Sequence, residues 1–278
     1  MAESTCGCAL VSVCPQRPGS SLLSIEASYQ SLRSFRVADH TTTTDLVSTC
    51  EKTLDTGHND IHLELMGEWK HTLFPEMYKV PESLMGLLSQ TIRLANEQEL
   101  LNRDTIVDFD IPTNLSQRTR LLEHQVLSWD KTHAYPTAPD VNPINEKGFR
   151  YDALATHQGL ILFYYRRIHN INALILQDTV RKVLDFAQES ANAGIENGFP
   201  SPLLLWPCFI AACEALEPGL QDRALKFLLD ADCQSMAPSF SVAAEVAQKV
   251  WSLRRETQDY TIGWVQATAP YRCPIIAI

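Results

Sequence analysis

The sequence predicts an all-α fold: an irregular array of antiparallel helical hairpins, roughly seven helices in number. Three observations predict it. Apolar residues recur at helical spacing in one stretch after another from about residue 81 onward. Strand-like alternation is absent, and proline and glycine fall between the periodic stretches. No repeat of fixed 34- or 40-residue period is evident, which argues against a regular solenoid. The 278 residues suffice for one large domain or two small ones. They divide into a polar arm over residues 1–60, expected to be loosely ordered, and a helical body over 61–278.

The arm is turn-rich, with Pro15, Pro18-Gly19, a threonine run at 41–44 and Gly57-His58-Asn59-Asp60. Pro81 then opens a helix to about residue 101, with Leu84, Leu87, Leu88, Ile92 and Ala95 on one face. A second helix is expected over about 116–129, on a stripe of Leu122, Val126 and Trp129. Residues 131–148 hold Pro136, Pro139, Pro143 and Gly148 and read as an irregular crossing. A long helix follows over about 149–169, and its continuously apolar second half, 160–165, should be central. The next spans about 174–193, with Gly194 and Gly198 to end it. Helices over about 220–232 and 240–255 complete the array, and the apolar tail, Trp264 and then Pro274-Ile275-Ile276-Ala277-Ile278, is expected to dock back on the core.

The most informative stretch is 202–216. Ser201 suits the cap position and Pro202 the first helical one, where its missing N–H is no loss. The segment is apolar nearly all round, so the helix should be buried on most sides, and Pro218-Gly219 should break it. It is too short to cross a bilayer, which takes about 20 residues. One carboxylate, Glu214, lies inside it. A buried acid needs a partner, and Arg166, Arg167 or Arg223 could supply one.

Charge narrows the function. Lys and Arg number 23 against 33 Asp and Glu, a net charge of −10, so the folded body should repel phosphate. The densest basic spots are the pairs Arg166-Arg167, Arg181-Lys182 and Arg254-Arg255, read as solvated faces or salt-bridge partners. The eight cysteines, at 6, 8, 14, 50, 208, 213, 233 and 273, match neither a disulfide framework nor a zinc site. Cys208 and Cys213 fall on different sides of one helix, and apolar surroundings should raise their pKa and leave them inert. No secretory leader or membrane-length span is evident, so the reading is a soluble intracellular protein with reduced thiols.

No enzymatic motif is complete. Asp104 with Asp108-Phe109-Asp110 sits beside Ile111-Pro112 in an expected loop and lacks the second carboxylate motif that a helical, magnesium-dependent cyclase needs. His58 and His62 are four apart but carry no His-Glu-x-x-His pattern. No nucleophile elbow, phosphate-cradling loop or dinucleotide fingerprint occurs. His157 and His169 lie 12 apart, with no sign of shared chemistry. The sequence therefore assigns no catalytic residue, metal or cofactor.

A resemblance adds to these readings. Trp206-Pro207-Cys208-Phe209-Ile210-Ala211-Ala212-Cys213-Glu214-Ala215 is similar to the Trp-Pro-(Leu)-Phe-Ile-Ala-Gly-Cys-Glu-Ala signature of the helical C-terminal domain of fungal transcription factors of the binuclear zinc cluster type. Three other segments resemble that family in order. They are Tyr78-Lys79-Val80-Pro81-Glu82-Ser83-Leu84, the Leu160–Ile168 stretch carrying Tyr164-Tyr165-Arg166-Arg167, and Val250-Trp251-Ser252-Leu253-Arg254-Arg255 followed by Gly263-Trp264-Val265. Together they cover about residues 60–278. Ala212 stands where the family usually has glycine, a change a helix accepts easily.

The resemblance implies a nuclear regulatory domain acting through protein partners, as a homo- or heterodimer, with a small-molecule effector conceivable and no membrane. It also implies that Trp206, Pro207, Phe209, Cys213, Glu214, Arg166, Arg167, Trp251 and Trp264 are markers of the fold. The sequence departs from the family pattern in lacking paired Cys-x-x-Cys motifs and the basic run after them, so DNA contact is expected only indirectly or through an upstream zinc cluster. The alternatives are a helical protein-interaction scaffold, and a helical ligand-binding protein or enzyme.

Overall fold

The computed structural model describes residues 80–103, 110–129, 143–196, 205–235 and 239–268. These form eight α-helices and one 3-10 turn, with no strand among the described residues. In chain order the helices are α1 (Glu82–Arg103), α2 (Asp110–Ser128), α3 (Pro143–Ile168), α4 (Gln177–Glu196), α5 (Leu205–Glu214), α6 (Pro218–Ser235), α7 (Ser239–Thr257) and α8 (Trp264–Thr268); the 3-10 turn, Ala173–Leu176, leads into α4.

Two helices organise the rest. The 26-residue α3 packs against α1, α2, α4 and α5. With neighbours on several sides it needs apolar groups on several sides, and Leu160, Leu162 and Tyr164 are all fully buried. Tyr164 brings a polar tip into that interior and settles it by donating to the Thr119 carbonyl of α2 at 2.8 Å. The short α5 packs against α3, α4, α6 and α7, and every residue from Trp206 to Glu214 is buried.

The peripheral helices are one-sided. In α4 the buried positions are Val180, Val183, Leu184, Ala187, Ser190, Ala193 and Gly194, a single stripe facing α3 and α5. In α2, Thr119, Leu122 and Val126 are buried while Ser116, Gln117, Arg120, His124 and Gln125 face water. Trp129, at the end of that stripe, is half-buried and donates from Nε1 to the Ser83 hydroxyl of α1 at 3.0 Å.

Helix boundaries depart from the sequence reading mainly at prolines. Asp110 opens α2 rather than lying in a loop, with Pro112 in the first turn. Pro143 begins α3, which takes in residues expected to belong to the irregular crossing. Pro218 does not simply break a helix: it starts α6, where the Glu217 carbonyl accepts from the Leu220 and Gln221 amides, both at 2.9 Å. The cause is common to all three. The first-turn amides have no intrahelical acceptor, so a residue without an N–H loses nothing there. Gly194 does not end α4, which continues to Glu196 with Gly194 buried in its stripe.

The cysteines at 6, 8, 14, 50 and 273, His58 and His62, Asp104 and Asp108, Ser201-Pro202 and the 274–278 tail lie outside the described residues.

Candidate functional site

The segments picked out in the sequence meet at the C-terminal end of α5. Any helix leaves its last carbonyls without intrahelical donors. Here the end is buried, so water is not available to satisfy them. Side chains from three other helices do so instead. Trp251 Nε1–H of α7 donates to the Ala212 carbonyl at 2.8 Å. Arg254 Nη1, also from α7, donates to the Cys213 carbonyl at 2.8 Å. Gln177 Nε2 of α4 donates to the Glu214 carbonyl at 2.9 Å, and its Oε1 accepts from the Leu216 amide at 3.0 Å. Gln221 Nε2 of α6 donates to the Ala215 carbonyl at 3.0 Å. Four successive carbonyls are thus closed from outside α5.

Glu214 supplies the charge that holds two of these pieces together. Its Oε2 accepts from Arg254 Nη2 at 2.6 Å and lies 3.0 Å from Arg166 Nε at the end of α3. Both the Glu214 and Arg254 side chains are 2% exposed, and that of Arg166 is 7%. Burying three charges is tolerable only if each is paired and hydrogen-bonded. Apart from Arg166 Nε, which is ion-paired to Glu214 without a hydrogen bond, the guanidinium nitrogens meet that condition, largely with backbone carbonyls. Arg254 Nε donates to Ile262 O at 2.7 Å, Arg166 Nη2 to Thr261 O at 2.7 Å, and Arg166 Nη1 to Ile171 O.

Two arginines and one glutamate leave an excess positive charge, and the exposed Asp259 faces it. Hydrogen bonds from the Thr261 hydroxyl and amide hold the Asp259 carboxyl below the usual carboxylate range, and the charges of Arg166 and Arg254 act in the same direction.

Glycine makes room in two places. An added Cβ on Gly263 would sit 3.2 Å from Arg166 Nη2 and 3.3 Å from Gln266 Oε1, so a side chain there would press on the arginine. Gly159, in the middle of α3, faces the start of α5: its Cβ would fall 2.9 Å from Pro207 Cβ and 3.1 Å from Pro207 Cα. The missing side chain is what lets α3 and α5 approach so closely.

Of the residues singled out in the sequence, Arg166, Glu214, Cys213, Trp251, Phe209 and Trp264 come together here. The Phe209 and Trp264 rings meet edge-on with centroids 5.8 Å apart. Trp206 lies at the other end of α5, edge-on to Phe163 at 5.7 Å, with Pro207 against Gly159. Arg167 points elsewhere and pairs with Glu99 of α1 at 2.8 Å. Arg223 pairs with Asp185 at 2.6 Å rather than with Glu214.

Arg254 is the partner that sequence reasoning did not offer to Glu214. It lies 40 residues away, and only its place in the Trp251-Ser252-Leu253-Arg254 segment marked it. Gln177, Gln221 and Gly159 were also missed. An isolated glycine inside a strongly helical pattern was the available signal for the last.

The thiols of α5 are buried and free. Burial pushes Cys208 up to about 12, with the Asp152 carboxylate adding to the rise. Cys213 is raised by burial and by Glu214, with Arg254 opposing. Such thiols are poor nucleophiles at neutral pH. His157 is buried against Trp129 and its Nε2 lies 2.7 Å from the Val126 carbonyl, while His169 is exposed beyond the end of α3. Among the described residues no group of three His, Cys, Asp or Glu is placed to hold a metal ion, and no helix is long and apolar enough to cross a membrane.

The family model described as the fungal specific transcription factor domain matches residues 1–275. Arginine metabolism regulation protein II of Saccharomyces cerevisiae is 22% identical over 186 residues, which is 66% of this chain and 21% of that protein. The chain spans about a fifth of the length of that relative. No solved structure matches it.

Proposed function

The chain belongs to the fungal specific transcription factor domain family, and from that premise we propose that it is the helical regulatory module of a nuclear transcription regulator. It works through protein contacts, dimerisation among them, and DNA is met by a partner or by a module outside these residues. The polar arm over 1–60 and the regulatory body over 61–278 are the division that goes with this reading.

The observation that carries it is where the charges of the basic pairs go. Arg166 and Arg254 are buried on Glu214, Arg167 pairs with Glu99, and Arg181 and Lys182 pair with Asp178. The first three are drawn into the fold and Arg181 and Lys182 are offset by an exposed carboxylate, which in a chain of net charge −10 supports a body that offers no strongly basic face for phosphate. Trp251 and Arg254 likewise serve the fold, closing the end of α5. On this reading Trp206, Pro207, Phe209, Cys213, Glu214, Arg166, Arg167, Trp251 and Trp264 maintain the fold that regulation uses, and none is catalytic.

The test is to fuse residues 1–278 to an unrelated DNA-binding module and measure a reporter carrying that module's site. The expected result is a reporter level different from that set by the DNA-binding module alone, restored to it when Glu214→Ala disrupts the fold. A well-expressed nuclear fusion that leaves the reporter at the level of the DNA-binding module alone would overturn the proposal.

A further inference from the structure

The segment that follows α7 is attached to the body in an unusual way. Gln258 takes a left-handed conformation, with φ 57°, and its amide still bonds to the Arg254 carbonyl at 2.9 Å, so the chain leaves the helix sharply. Residues 259–263 then run beside the charged cluster, and α8 follows. At five residues α8 is too short to hold itself together. Its first turn is closed locally: Gln266 Oε1 accepts from the Gly263 amide at 3.0 Å, and the Ala267 amide bonds to the Gly263 carbonyl at 3.1 Å.

The ties from this segment to the body are both polar and apolar, and Ala267 and Thr268 of α8 are buried. The Thr261 and Ile262 carbonyls accept from Arg166 and Arg254. The Tyr260 carbonyl accepts from the Ala173 amide at 3.2 Å, and Trp264 lies edge-on against Phe209.

We propose that residues 258–268 form a strap that opens and closes as one unit, fastened by Arg166 and Arg254 over the Phe209 edge of α5. Opening detaches two carbonyls from the arginines and uncovers Phe209. It leaves the interior of α3, α4 and α5 in place, because the Glu214 ion pairs persist with water taking over from the two strap carbonyls, and the glutamine caps do not involve the strap. The proposal does not depend on what the chain regulates.

Ala173 makes the proposal testable. It is fully buried, far from the strap in sequence, and its amide is bonded to a strap carbonyl. Native-state hydrogen exchange of the full chain in rising, sub-denaturing urea reads each amide separately. The Gly263, Ala267 and Ala173 amides should share one opening reaction, nearly independent of urea and faster than that of the α3 and α5 interior amides. Gln266→Ala, on an exposed position that bonds only within the strap, should speed all three several-fold and leave the α3 and α5 amides unchanged. Exchange of Ala173 in step with the α3 and α5 interior, or equal acceleration of that interior by Gln266→Ala, would overturn the strap. The wild-type profile decides the matter even if the variant does not fold.

Discussion

Glu214 shows how much depends on surroundings for one residue type. Its carboxylate is buried between two guanidinium groups, whereas Glu99 meets Arg167 at the surface with 43% of its side chain exposed. Removing one member of a buried cluster strands the others, so Glu214→Ala should lower unfolding stability by about 3–5 kcal/mol. Arg167→Ala breaks a partly solvated pair and should lower it by about 0–1 kcal/mol. Urea denaturation of the two variants checks the contrast, and equal losses would mean that burial is not what matters. The thiols give a second prediction, in pH. Burial raises Cys208 from an ordinary 9.0 to about 12. Between those values the unfolded chain has released the proton and the folded one has kept it. Stability from this group is therefore complete below about pH 9 and is lost as pH climbs toward 12. The urea midpoint should fall over that range, and less steeply in Cys208→Ala. His157 acts at the other end. Burial lowers its pKa below the ordinary 6.5, so the unfolded state binds the proton more readily. Stability is full above about pH 6.5 and declines as the solution is acidified further, a loss that His157→Gln should reduce.

At the scale of helices, Gly159 and Gly148 make a matched pair within α3. Alanine is favoured over glycine in a helix interior by about 1 kcal/mol, and nothing lies within 4 Å of a Cβ on Gly148, so Gly148→Ala should stabilise by up to that amount. At Gly159 the same methyl would meet the Pro207 backbone at 3.1 Å, and the overpacking should outweigh the propensity and cost about 1–3 kcal/mol net. Thermal unfolding midpoints moving in opposite directions would confirm that α3 and α5 touch through the glycine; a stabilised Gly159→Ala would refute it. The two glycines look alike in sequence, which shows where legibility stops. Periodicity located α1, α3, α4, α6 and α7, because a one-sided or continuous apolar pattern is a property of the local chain. The burial of α5 was legible for the same reason. Its closure was not: Arg254, Gln177 and Gln221 reach it from three helices, and nothing in their local spacing distinguishes them from surface residues. Prolines misled at α2, α3 and α6 because a proline that stops one helix is also well suited to begin the next.

For the molecule as a whole, charge sets the last prediction. A protein that neutralises phosphates must present Lys or Arg to them, and binding then falls steeply with salt. This chain has ten more acids than bases, and in the folded body the adjacent cations of α3 and α4 lie against carboxylates. Approach to duplex DNA would bring net negative charge against net negative charge, and freeing a paired arginine would expose its carboxylate partner. The purified chain should therefore fail to shift the anisotropy of a labelled duplex even at low salt, where electrostatic attraction is least screened. Raising the salt should produce no loss of signal, since there is no counterion release to oppose. Measurable low-salt binding with a steep inverse salt dependence would show a basic surface on this chain, and would move DNA contact from a partner to it. A flat response would agree with DNA being met by a partner or by a module outside these residues.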